Sequence, residues 1–383
     1  MKSISYGRQH ISQDDINAVV ETLQSDFLTQ GPKVKEFEDK FAEYVGSKYA
    51  IAVSNGTAAL HLCTLAMNVQ KGDKVITTPL TFAASANCIR YCEGEVDFVD
   101  IDPESYLIDL DKLEDKLASV PVGTFKGIIP VDFAGYPINA ERLRSIANRY
   151  KLWIIEDACH APGGYFVDSK GRQEMCGQGT YADLSIFSFH PVKHIATGEG
   201  GMITTNNKEL YDKICLLRTH GITKDPALLT ENHGGWYYEM QELGYNYRLS
   251  DIQAALGVSQ LKRAGEGVRK RNEIADDYNK AFSEFSIETP IVEDSNYHAY
   301  HLYIIQVEDR TGLYEHLRKN NIFSQVLYCP VHLQPYYKNL GWKKGDLPIV
   351  ERYYENCLAL PMFPTLTKEE QAYVIQKVIE FIK

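Results

Sequence analysis

Apolar residues along the chain recur in short runs rich in Val, Ile and Phe, each closed by glycine, proline or small polar residues. Runs of this length and composition predict buried strands. They fall at about 49–54, 73–77, 95–101, 126–131, 151–157, 182–188 and 201–205. Helical stretches separate them, and such alternation predicts a mostly parallel sheet covered on both faces. A leading helix is expected from Ser12 to Leu23, with Ile16, Val19, Val20 and Leu23 on one face. Residues 221–245, rich in Gly, His, Asn and Tyr, read as a loop. A long helix starts at Asp251, where Ile252, Ala255, Leu256, Val258 and Leu261 keep a helical period; Arg263 to Arg271 then adds a basic run, read as a solvated face. His301 to Val307 and Ser324 to Cys329 read as strands, and Lys368 to Ile382 as a closing helix. The expectation is an α/β large domain over residues 1–245 and a smaller α+β domain over residues 246–383. No repeat, low-complexity tract or linker separates them, so they should pack as one unit.

Chemistry enters at Ser188-Phe189-His190-Pro191-Val192-Lys193-His194, which follows the strand read over Ala182 to Phe189. Lys193 lies in the hinge between that strand and the next, Met202 to Thr205, where its amine can be partly desolvated and made nucleophilic. Such a lysine is either a Schiff-base nucleophile or a solvated loop cation. A second signal lies upstream, where the apolar run Leu152 to Ile155 ends in Glu156-Asp157. Ligands in open α/β sheets bind beyond the carboxyl ends of the strands. Asp157 there suits the protonated ring nitrogen of pyridoxal 5′-phosphate (PLP), or equally the cap of the next helix. A third is the strand–turn–helix Tyr49 to Val53, Ser54-Asn55-Gly56-Thr57 and Ala58 onward. A helix N-terminus attracts phosphate, Gly56 lets the backbone approach it, and Thr57 and Ser188 could each add a hydroxyl. A fourth is Thr77-Thr78-Pro79-Leu80-Thr81-Phe82, before a helix expected from about Ala83. Phe82 is placed either to stack on a flat ring or to join the core.

These elements, in this order, resemble the fold-type I PLP enzymes, and within them the DegT/DnrJ/EryC1/StrS family of nucleotide-sugar aminotransferases. The likeness covers nearly the whole chain, from Leu28-Thr29-Gln30-Gly31-Pro32 through Glu156-Asp157-Ala158-Cys159-His160 to Gly244-Tyr245-Asn246-Tyr247-Arg248-Leu249-Ser250. The resemblance implies a seven-stranded, mostly parallel sheet in the large domain and a PLP-dependent transamination. It implies that Lys193 bonds the cofactor and shuttles the proton, and that Asp157 holds the pyridine nitrogen. His160 would contact the ring hydroxyl side, and Phe82 would stack on the ring. Gly56, Thr57 and Ser188 would hold the phosphate, with Asn246 reaching it from the neighbouring subunit of a homodimer along the loop 221–245. Related sugar dehydratases carry histidine where this chain has Lys193, so transamination is favoured.

Within the family, the surroundings of these motifs are closest to the members that serve pseudaminic acid synthesis. Those members move the amino group of L-glutamate to C4 of a UDP-linked 4-keto-6-deoxy-N-acetylhexosamine. The matching positions imply that Tyr6, Asp26, Phe27, Leu28, Thr29, Gln325 and Tyr328 approach the sugar nucleotide. Tyr6 could instead anchor the terminus, and Tyr328 could be a half-buried strand tyrosine. Leu327 departs from the pattern, since a polar group such as histidine is often seen there; the position bears on which epimer is taken. Alternatives are another 3- or 4-aminotransferase of the family, a fold-type I lyase using Arg248 for an α-carboxylate, or a cofactor-binding regulator without turnover.

Composition narrows the partners. The chain has 383 residues and a formal charge of −11, which disfavours nucleic acid as a ligand. No stretch approaches the ~20 apolar residues of a membrane span, and the first residues lack the core of a signal peptide. A cytoplasmic enzyme is expected. The eight cysteines and eleven histidines show neither a disulfide framework nor metal-ligand spacing, so free thiols and no metal are expected.

Overall fold

A computed structural model describes residues 3–289 and 291–383. The seven runs form one sheet: β1 Tyr49–Val53, β2 Lys74–Thr77, β3 Glu95–Phe98, β4 Phe125–Ile129, β5 Trp153–Asp157, β6 Leu184–Ser188 and β7 Gly201–Thr205. Their spatial order is β1-β7-β6-β5-β4-β2-β3. All neighbours are parallel except β7, which runs antiparallel to both β1 and β6. Helices connect the successive strands from β1 to β5, a short strand pair connects β5 to β6, and the central strands β4, β5 and β6 are largely buried, which explains their apolar runs. Gly127 in β4 lies opposite Trp153 in β5, and a Cβ there would sit 2.0 Å from the indole. Only glycine lets that ring lie across the strand.

Two helix starts help to position the site. Asn55 caps the helix Gly56–Ala66, its side chain accepting from the Ala58 N–H at 2.8 Å. Ser12 and Asp15 form a capping box on the helix Gln13–Leu23. That helix turns Asp15 inward to Arg263 and Gln260, while Ile16, Val20 and Leu23 of its apolar face are exposed.

The helix Asp251–Leu261 packs against Gln13–Leu23 and Pro32–Val45, and Ala254 and Val258 share a cluster with Phe37 and Phe41. A separate core begins with Ile274 on the helix Ala264–Phe282 and continues through Tyr303–Gln306, Cys357–Leu360 and Lys368–Ile382. Ile4 belongs to that core, because Ile4–Ser5 pairs parallel to Ile322–Phe323. The start of the chain is thereby pinned to the C-terminal layer, with Met362 N–H donating to the Tyr6 carbonyl at 2.9 Å.

Two sequence expectations need correction. Ser324 to Cys329 is not a strand; regular pairing there is confined to Ile322–Phe323 and a bridge between Gln325 and Ala359. Arg271 is not part of a solvated face. It is 1% exposed, and its Nη1 donates to the carbonyls of Tyr300, His301 and Met362 at 3.0, 3.2 and 2.9 Å. The loop 221–245 is as expected apart from a short pairing of Ile222–Thr223 with Glu239–Met240. All eight cysteines are free thiols. No helix among the described residues is long and apolar enough to cross a membrane.

Candidate active site

A cavity of about 920 Å³ opens at the carboxyl ends of β1, β5 and β6. Its wall contains Gly56, Thr57, Phe82, Asp157, His160, Ser188 and Lys193, drawn together from distant positions of the sequence, and also Tyr6 and Tyr328. The topology causes this convergence, because parallel strands deliver their following loops to one edge.

Lys193 sits where the chain leaves β6, its N–H donating to the His190 carbonyl at 2.8 Å. Its Nζ lies 3.3 Å from His301 Nε2. The dehydrated surroundings pull the amine down to about 8, Arg271 adding to that, while Asp157 and Cys159 oppose it. Burial also holds His160, His194, His298 and His301 well below the usual imidazole range, so all four rings are neutral near pH 7. His160 Nδ1 accepts the Ala134 N–H at 3.2 Å. The proton is therefore assigned to Nε2, which lies 3.4 Å from the Tyr328 hydroxyl.

Asp157 is buried at the end of β5. Its Oδ2 accepts from the Ser85 hydroxyl at 2.7 Å, its Oδ1 from the Cys159 N–H at 3.2 Å, and Ser85 in turn meets Thr81 at 2.7 Å. This is a fixed carboxylate rather than a helix cap. Phe82 is 63% exposed, which settles its place in the pocket wall rather than the core. Its ring centroid is 6.2 Å from that of Tyr328.

The residues fit PLP. Gly56 opens the helix against Ser188, where a Cβ would come within 3.1 Å of the serine Cβ. The N–H groups of Gly56 and Thr57 and the hydroxyls of Thr57 and Ser188 stand together in the wall, a donor set of the kind that a phosphate would take. A neutral-prone amine and a hydrogen-bonded carboxylate stand in the same cavity, as an aldehyde and a pyridinium nitrogen require.

Other expected positions lie outside this wall. Gln325 is exposed, beyond the lining. Asp26, Phe27, Leu28 and Thr29 are exposed as well, and so is Asn246. The latter two stretches meet each other: Thr29 bridges Ser250, and Arg248 binds Asn246 at 3.0 Å and Gln30 at 2.9 Å. Sequence reasoning missed Ser85, Thr81 and His301. The first two are one helical turn apart, Thr81 ahead of a short helix and Ser85 inside it, a spacing that could have signalled them. His301 comes from 108 residues away, with no local signal.

Behind Asp157 lie Asp132, Glu156 and Cys176, all buried, with ligand-type atoms within 4.8 Å of one another. The sequence suggested no such cluster. Asp132 Oδ1 accepts the Ile138 N–H at 3.0 Å; Glu156 Oε2 accepts from Ser185 at 2.6 Å and Gly177 at 3.1 Å. Asp132 Oδ2 has no other partner. Two carboxyl groups this close in a dry site share one proton, and burial first, then the neighbouring Glu156 charge, push Asp132 well up.

The profile of the DegT/DnrJ/EryC1/StrS aminotransferase family matches residues 9–379. The chain is 42% identical to the Methanocaldococcus jannaschii protein MJ1066, over 98% of this chain and 96% of that one. It is 38% identical to the Campylobacter jejuni UDP-4-amino-4,6-dideoxy-N-acetyl-beta-L-altrosamine transaminase, over 97% and 95%. The PLP form of the Streptococcus pneumoniae sugar aminotransferase Spr1654 superposes with a TM-score of 0.90 at 29% identity, covering 100% of both chains. The protein belongs to the DegT/DnrJ/EryC1/StrS family. It is a PLP-dependent sugar aminotransferase of fold type I, taking a sugar nucleotide and an amino donor.

The buried carboxyl pair yields a prediction. The folded pair keeps a proton at pH values where unfolded carboxyls have lost theirs, so it subtracts stability as pH rises above about 4. Asp132→Asn keeps the acceptor for Ile138 and supplies a donor to Glu156 without needing a proton. Its melting temperature relative to the parent should therefore rise between about pH 5 and pH 8; an offset that stays constant or falls would mean that no proton is shared.

Proposed function

We propose that the enzyme transfers the amino group of L-glutamate to C4 of a UDP-linked 4-keto-6-deoxy-N-acetylhexosamine. The product is UDP-4-amino-4,6-dideoxy-N-acetyl-β-L-altrosamine, for pseudaminic acid synthesis. The observation that carries this reading is the 38% identity, over 97% of this chain, to the Campylobacter transaminase of that name. The cavity supports it, being large enough for cofactor and sugar together, with Tyr6, Leu327 and Tyr328 in its wall.

PLP, when bound, supplies the electron sink that lets a carbon next to nitrogen lose its proton. The chain's own residues do the rest. Lys193 Nζ would bond the cofactor; freed by the donor, the amine would take the proton from the donor's α-carbon and pass it to the cofactor, and in the second half-reaction it would carry a proton from the cofactor to the sugar carbon. Asp157 keeps the ring nitrogen protonated, held in place by Ser85 and the Cys159 N–H. His160, with its Nε2–H toward the Tyr328 hydroxyl, would contact the hydroxyl side of the ring. Two successive half-reactions give ping-pong kinetics.

The site is completed in a homodimer. The exposed apolar residues Ile16, Val20, Leu23, Phe27, Leu28, Trp236 and Leu243 suit an interface. Asp26 to Thr29 and Asn246, outside the wall of their own pocket, would then serve the partner's. A lyase reading loses support because Arg248 is engaged by Asn246 and Gln30, outside the pocket wall. The second reading that stands is another 3- or 4-aminotransferase of the family.

Two experiments test this. Purified protein with PLP and glutamate is offered the two C5-epimeric UDP-2-acetamido-2,6-dideoxy-4-ketohexoses, and the ketone-to-amine mass change is followed. Amination of the L-arabino epimer is expected; amination of the D-xylo epimer alone would move the enzyme to another amino sugar. Separately, Lys193→Ala and Asn246→Ala subunits, each poorly active, are mixed and re-equilibrated. Half the dimers would be mixed, each with one intact site of two, restoring about a quarter of parental activity. No recovery would mean that the sites are not shared.

A further inference from the structure

A second cavity, about 160 Å³, shares Lys193 in its wall with the main pocket but is otherwise built from different residues. Its wall is basic: Arg8, His10, His194, Arg263, Lys270 and Arg271 line it, with Glu266 as the carboxylate among the lining residues. Two of these cations are already neutralised. Arg263 is paired with Asp15, and Lys270 with Glu266 at 2.8 Å.

Arg8 and Arg271 are different. Among the described residues neither has a carboxylate within 4.0 Å; the Arg8 guanidinium lies over the Phe363 ring at 5.4 Å. Arg271 is the more demanding case, because it is 1% exposed. Its Nη1 meets three carbonyl oxygens, which solvate the charge without cancelling it, and its Nε has no partner at all. Burial lowers its pKa only to about 10, so it stays charged at neutral pH. A buried, unpaired cation is costly, and proteins normally pair it. The groups facing it do not offset this charge, since Lys193 is itself a cation when protonated and the neighbouring His194 and His301 cannot supply negative charge. His194 Nδ1 is a second buried polar atom in this wall with no partner.

We propose that this cavity binds one small oxyanion, a carboxylate or phosphate group, between the guanidinium groups of Arg271 and Arg8. The planar fork of an arginine matches the two oxygens of either group. An anion there supplies the missing counter-charge and leaves the three carbonyl contacts undisturbed, since they use only one of the three guanidinium nitrogens. Two sources share this chemistry: inorganic phosphate, or an organic acid such as 2-oxoglutarate, which glutamate becomes on giving up its amino group under the function proposed above.

The test is calorimetric titration of the PLP-loaded protein, in which the donor set at Thr57 and Ser188 is already filled and no amino group is available for transfer. Inorganic phosphate and 2-oxoglutarate are titrated separately into the parent and into Arg8→Gln. One equivalent of at least one anion should bind the parent, and Arg8→Gln should weaken it about tenfold or more. Phosphate alone would identify a free oxyanion as the occupant, and 2-oxoglutarate would identify the organic acid. Because Arg271 also ties three carbonyls, Arg271→Lys serves as the second variant, keeping a cation for them but losing the fork; it too should weaken binding. No binding by the parent, or titrations unchanged in both variants, would overturn the proposal. The readout is binding rather than amination, so a failure of the sugar assignment leaves it standing.

Discussion

Removing an ammonium group from water is among the most expensive steps in folding, and the neighbourhood of Lys193 turns that cost into a lowered pKa. The amine lies in a pocket of neutral imidazoles, close to His301, with Arg271 beyond. Dehydration and a second cation favour the uncharged form, while Asp157 and Cys159 limit the shift. An uncharged amine is the form that attacks an aldehyde and accepts a proton. The same energetics that would penalise a structural lysine here therefore prepare a catalytic one.

The sheet supplies the geometry. β5 and β6 end side by side, placing Asp157 and Ser188 on one edge, while the helix from Gly56 presents its N-terminus to the same edge. Asp157 is immobilised from below by Ser85 and from the side by a backbone N–H. The next layer down, Asp132 with Glu156, holds the turn whose Ala134 N–H sets the His160 ring. Each group that would touch the cofactor is thus backed by another that fixes its direction. The C-terminal layer closes the pocket from the far side with Tyr328, and the paired start of the chain brings Tyr6 beside it.

Much of this was legible because it is written locally. The seven strands show as apolar runs, and Gly56, Asp157, Ser188 and Lys193 each follow a strand, where an α/β sheet places its ligands. What failed to show depends on tertiary context. A run from Arg263 to Arg271 has the composition of a solvated face, and nothing within it reveals that three distant carbonyls receive Arg271. The helix Gln13–Leu23 shows an apolar face in the sequence, yet the residues it buries are Asp15 and Thr22, Asp15 because Arg263 and Gln260 pair with it. Ser324 to Cys329 has a strand's composition but finds only a bridge to Ala359. His301 is a lone histidine until the fold carries it to Lys193.

The central claim is that the fold lowers the Lys193 pKa, so that far more of its amine is in the reactive, uncharged form near neutral pH than in an ordinary lysine, and it can be measured directly in the protein freed of cofactor. Competitive acylation with limiting acetic anhydride across a pH series, read at Lys193 by peptide mass spectrometry, gives the fraction of neutral amine. The structure predicts a midpoint at about 8. A midpoint at the ordinary lysine value of 10.5 would contradict it.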